Sequence, residues 1–211
     1  MDRYLVISSD GHAGPRPDVY RDYLDPKYRE EFDRQHGPRL AALQNAGVSL
    51  EMAEGSQKFA EGKDYGLAGA WDHDRRVEVL DGDGVAGEII FPDGITERNS
   101  PPFGAGLGLS TDGVDPELQW AGAIAHNRWL KELCDMAPER RVGVAVVPAL
   151  WDVERAVSYV REVREQGLRA IMIPTVWGDF PPYHHPRYEP LWRVCEELGV
   201  VIHFHSGATP R

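Results

Sequence analysis

The chain has 211 residues, with 23 basic and 34 acidic side chains and a formal net charge of -11 at neutral pH. An acidic chain without a basic run is not built for nucleic acid or an anionic membrane surface, and its length allows one domain with a substantial core. No apolar run approaches the ~18 residues of a membrane-spanning helix, and Met1-Asp2-Arg3-Tyr4 lacks the start of a signal peptide, so a cytoplasmic location is expected. Cys134 and Cys195 lie far apart in helix-like stretches and are expected to be reduced core thiols.

Taken in order, apolar runs and helical periods alternate. Tyr4 to Ser8 reads as a strand, and Asp18 to Gln35 as a polar helical segment interrupted at Pro26. From Gly37 onward the pattern loosens into glycine-broken fragments, so residues 37–70 are expected to be an insertion. Asp74 to Leu80 reads as a short helix, and Ala86 to Phe91 as a strand ended by Pro92. Gly94 to Gly113 is Gly-, Pro- and Ser-rich and reads as a surface loop. Pro116 to Met136 carries apolar residues at helical spacing, and Val142 to Val147 is a strand ended by Pro148. Asp152 to Glu165 then reads as a helix, and Ala170 to Ile173 as a strand ended by Pro174. Tyr188 to Leu198 is a helix closed by Gly199, and Val200 to Phe204 is a fifth strand. Strands buried on both faces and separated by helices predict βαβ units and a parallel sheet, in chain order. Gly104-x-Gly106-x-Gly108 follows no strand, so a dinucleotide fold is disfavoured.

Two histidine clusters sit at the ends of apolar runs. Asp10-Gly11-His12 follows the first, and His203-Phe204-His205-Ser206-Gly207 follows the last. A side-chain period of two lets Asp10 and His12 share one face, as it does His203 and His205. A carboxylate and imidazoles converging from separate strands suit a divalent metal such as zinc. Asp72-His73-Asp74 also resembles a metal cluster, but a helix cap by Asp72 or Asp74 is the simpler reading. His126 and His36 read as surface residues, and His184 and His185 as loop residues.

The order of these motifs resembles the amidohydrolase superfamily, and most of all its branch containing aminocarboxymuconate-semialdehyde decarboxylase and related decarboxylases and hydrolases. The resemblance rests on Ile7-Ser8-Ser9-Asp10-Gly11-His12, Asn127-Arg128-Trp129-Leu130 and Pro138-Glu139-Arg140-Arg141. It continues through Gly167 to Pro174, Pro186 to Trp192 and Val201 to Gly207. It implies a (β/α)8 TIM-barrel with its metal site at the C-terminal ends of the strands, of which about the first five are present. Residues 1–211 would then form one barrel domain that is incomplete at its C-terminus. Carried over by position, Asp10 and His12 match the paired metal ligands after the first strand, and His205 the ligand after the fifth. His203 lies one inward-facing layer deeper, and is expected beside the ligands or as an alternative to one. Relatives also use a histidine after the sixth strand and an aspartate after the eighth; neither has a counterpart here, so the catalytic residues stay unassigned.

The resemblance implies one divalent ion, zinc before manganese, and a small-molecule substrate. The leading expectation is hydrolysis of an amide, ester or lactone bond. The alternatives are non-oxidative decarboxylation of a small aromatic or unsaturated acid, and a non-catalytic truncated fragment. The 211-residue chain by itself is expected to have little or no turnover. Trp177, Phe180 and Tyr183 are the expected substrate-pocket aromatics, and homo-oligomerisation is left open.

Overall fold

The five apolar runs of the sequence become five strands. The structure is a computed structural model that describes residues 4–45, 67–92, 99–106 and 115–206. The strands are β1 (Val6–Ala13), β2 (Val85–Pro92), β3 (Arg141–Val146), β4 (Ala170–Pro174) and β5 (Val201–His205). All neighbours pair parallel, in the order β1-β2-β3-β4-β5, as the alternation of strands and helices predicts. Ile90, Ala145, Ile171 and Ile173 enter a core beneath the helices. Their neighbours in the chain, Phe91, Val144, Val146, Ala170 and Met172, form a second cluster on the opposite, inner face. That division follows from the period of two along a strand.

The helices are α1 (Tyr20–Tyr23), α2 (Arg29–Asn45), α3 (His73–Gly82), α4 (Pro116–Asp135), α5 (Val153–Glu165) and α6 (Glu189–Leu198). In α5 the buried residues Val153, Ala156, Val160 and Val163 fall on one stripe, as do Leu191, Val194 and Cys195 in α6. Asp152 caps α5 by accepting a hydrogen bond from the backbone N–H of Arg155. Gly199 ends α6 at φ 63°, a left-handed conformation that costs glycine little. Asp72 likewise caps α3, so the Asp72-His73-Asp74 run is a helix start. No helix among the described residues is long and apolar enough to cross a membrane.

Several boundaries differ from the sequence reading. Helix α2 runs through Gly37 and Pro38 to Asn45, where a break was expected; a proline removes one donor but need not end a helix. The rest of the expected 37–70 insertion lies outside the described residues, apart from a 3-10 turn at Leu67–Ala70. Pro92 and Pro174 are the last residues of their strands and still offer carbonyl acceptors. His126 is fully buried on α4, where its Nδ1 meets the Tyr20 hydroxyl at 3.0 Å, so it is not a surface residue. Both cysteines are free and buried, and burial pushes each thiol up to about 11.

The sheet curls. Five strands laid flat at ~4.8 Å spacing would hold β1 and β5 about 19 Å apart. Instead, Asp10 on β1 and His205 on β5 approach within 3.2 Å. The result is a half-barrel, with the helices outside and the second cluster inside.

Candidate metal centre

Because the strands are parallel, their C-terminal ends share one rim, and the candidate residues gather there. Asp10 and His12 come from the end of β1, and His205 is the last residue of β5. Each offers one ligand atom, and the three atoms lie within 4.8 Å of one another. Asp10 Oδ1 is 3.2 Å from His205 Nε2 and 3.5 Å from His12 Nε2. The Asp10 side chain is open to solvent at 67%, whereas those of His12 and His205 are 15% and 20% exposed.

The ring orientations have a local cause. His12 Nδ1 lies 2.9 Å from the carbonyl oxygen of Pro92. A carbonyl only accepts, so Nδ1 donates to it and Nε2 is the ring nitrogen turned towards Asp10. Asp10 Oδ1 and His12 Nε2 face each other at 3.5 Å. Donor atoms ~2.1 Å from one tetrahedral ion stand about 3.4 Å apart, so the spacing fits a shared cation. His205 Nδ1 lies 3.1 Å from both the Ser206 hydroxyl and the Ser206 carbonyl, while its Nε2 faces Asp10.

Phe91 lies beneath these rings, 4.7 Å from His205, 5.3 Å from His203 and 6.1 Å from His12. His203 is not part of the trio. It sits two residues earlier on β5, and burial followed by the nearby His205 lowers its pKa. The three aromatics expected in a pocket divide. Phe180 and Tyr183 pack against the helix-side core, with rings on Trp151 and on Tyr188, Trp192 and Phe204. Tyr183 also donates to the Pro174 carbonyl at 2.7 Å. Trp177 on the same loop is 39% exposed and touches Tyr183 edge-on.

The sequence reading missed a buried ion cluster behind β1. Glu88 on β2, with a side chain 1% exposed, accepts from Arg76 on α3 and from Arg141 at the start of β3. A lone glutamate in the apolar run Ala86 to Phe91 is the signal that could have found it, since a buried charge needs a partner.

Comparison with known protein families gives a match to the amidohydrolase family over residues 92–211, more than half of the chain. The chain belongs to the amidohydrolase family. Among solved structures, this amidohydrolase is similar to one from Mycobacterium avium subsp. paratuberculosis, 17% identical with a TM-score of 0.65, over 98% of this chain and 60% of that one. It is also similar to 5-carboxyvanillate decarboxylase from Novosphingobium aromaticivorans, complexed with manganese and 4-hydroxy-3-methoxy-5-nitrobenzoic acid. That pair is 19% identical with a TM-score of 0.58, over 98% of this chain and 51% of the other. A third is the dihydroxybenzoic acid decarboxylase of Polaromonas sp., with bound manganese and 2-nitroresorcinol. Its identity is 17% and its TM-score 0.55, over 99% of this chain and 50% of that one. At these identities the likeness shows the fold: five strands of a (β/α)8 barrel. The chain spans about half to three fifths of the length of these structures. None of the curated proteins matches it.

Proposed function

We propose that this amidohydrolase is a metal-dependent, non-oxidative decarboxylase of a small aromatic or unsaturated carboxylic acid. The convergence of Asp10 Oδ1, His12 Nε2 and His205 Nε2 within 4.8 Å carries the metal assignment. One carboxylate and two imidazoles form a mixed oxygen and nitrogen donor set that suits zinc or manganese. Zinc leads on ligand type alone; manganese gains support from the two decarboxylases that bind it. Hydrolysis remains chemically open to the same ligand set, but the named chemistry of those two relatives favours decarboxylation.

A bound divalent ion would supply Lewis acidity at an oxygen of the substrate. The chain's own residues supply the rest of the setting. Asp10 contributes a carboxylate at the open rim, and His12 and His205 each turn Nε2 towards it. Phe91 places an apolar ring beneath the ligands. In decarboxylation the bond between the carboxyl carbon and its neighbour breaks and CO2 leaves. The neighbouring carbon takes up one proton, and the pair from the broken bond restores the ring or alkene π system.

The test uses the product of the whole open reading frame, loaded with Mn2+ or Zn2+. Hydroxylated benzoic acids are offered beside aryl esters and lactones, and CO2 and acid release are measured separately. CO2 release with matching loss of the aromatic acid is the expected result. Ester or lactone cleavage without CO2 would return the reading to hydrolysis.

A further inference from the structure

The segment that carries Asp10 and His12 is irregular. Ser8 pairs with Glu88 and Gly11 with Ile90, so Ser9 and Asp10 together face the single residue Ile89. This is a β-bulge, which locally disrupts the ladder and re-aims the side chains beside it. A bulge on an edge strand needs support from elsewhere to hold one conformation.

The support comes from behind. Arg76 Nη1 donates to the carbonyl of His12 at 3.1 Å and to that of Gly69 at 2.8 Å. Its Nε and Nη2 grip the Glu88 carboxylate at 2.6 to 3.0 Å, with the Arg76 side chain only 10% exposed. Glu88 is held in turn by Arg141, whose Nη1 donates to the carbonyl of Leu133 at 2.7 Å. Gly11 leaves room for this arrangement: a Cβ there would stand 3.3 Å from Arg76 Nη2 and 3.1 Å from the Ile89 carbonyl oxygen.

We infer that Arg76, oriented by Glu88, is a positioning residue that sets the Asp10 and His12 side chains for metal binding. The inference rests on the proposed reading of Asp10, His12 and His205 as metal ligands. The ion pair alone could be structural, and apolar side chains can often replace a buried pair without loss of stability. An apolar side chain cannot bind the His12 carbonyl. Arg76 therefore fixes the backbone of His12 from behind, while Pro92 fixes its ring from the front. Groups that orient metal ligands in this way typically contribute ~10–100-fold to metal affinity.

The experiment measures the Mn2+ dissociation constant and the Co2+ absorption spectrum of the full chain and three variants, with circular dichroism to report folding. Arg76→Lys keeps the charge against Glu88 but loses the planar fork. Tyr159→Phe is the control. It removes a buried hydroxyl that pairs with Asn127, and it touches none of the three ligands. Arg76→Lys should weaken Mn2+ binding ~10–100-fold and alter the Co2+ spectrum, whereas Tyr159→Phe should do neither. Wild-type affinity in folded Arg76→Lys overturns the inference while leaving the ligand reading intact. Affinity lost in both variants in proportion to stability also overturns it. If Arg76→Lys does not fold, Glu88→Gln decides, because it keeps the shape and weakens the grip on Arg76; an unchanged dissociation constant there overturns the inference. A wild-type chain that binds no ion removes the ligand reading, and the inference with it.

Discussion

The two faces of the curled sheet are packed to different degrees. Beneath the helices, Leu130, Val160, Ile171, Ile173 and Leu191 are fully buried in one continuous core. The inner face has the smaller cluster around Phe91, Val144, Val146 and Met172, and there Val142 and Val201 remain 43% and 57% exposed. The three candidate ligands stand at the rim of that less covered face. Burial in this molecule is therefore deepest on the helix side, and the candidate ligands stand where packing is thin.

Core substitutions should break this comparison most visibly. Ile171→Ala removes a fully buried side chain and should cost about 2–5 kcal/mol, whereas Val201→Ala should stay within ~0.5 kcal/mol. Urea unfolding of both variants checks this. Equal losses would mean that the inner face carries as much of the stability as the helix side.

An intermediate effect should follow pH. Burial pushes His126 from 6.5 down to about 3, so it stays neutral in the folded chain. On acidification below 6.5 the unfolded chain gains a proton that the folded chain refuses, and stability is lost until pH reaches about 3. This one group should cost about 1 kcal/mol between pH 7 and pH 5.5, by proton linkage. Comparison of wild type with His126→Gln across that range reads its share as a difference in slope; parallel curves would show that His126 titrates normally.

The smallest effect is expected at the rim of the β4–α6 loop. Trp177 is 39% exposed, and Trp177→Ala should change stability by less than ~0.5 kcal/mol in a urea titration. A larger loss would mean that its edge contact with Tyr183 anchors the loop.

Much of this organisation was legible from residue order. Apolar runs stopped by prolines, and helices with Asp caps and a closing Gly199, located all five strands and their parallel order. Those signals are local, so one sequence can show them. The Asp10, His12 and His205 grouping came from the family motifs, because residues 195 positions apart meet only once the sheet curls. The bulge was not legible. Ser8 to His12 has the spacing of a regular strand, and only its register against Glu88 and Ile90 exposes the extra residue. Arg76 was hidden for a similar reason. On α3 it reads as one more polar surface position, and its burial depends on Glu88, which lies on the next strand. His126 was misread as surface because its partner Tyr20 is 106 residues away.

Metal content decides the central claim most directly. The full chain, dialysed against Mn2+ or Zn2+ and then against metal-free buffer, is compared by elemental analysis with the Asp10→Ala, His12→Ala, His205→Ala triple variant. The account predicts about one ion per wild-type chain, as three protein ligands can hold, and none in a triple variant that keeps its helical circular dichroism. Equal metal in the two proteins, or none in either, would contradict it.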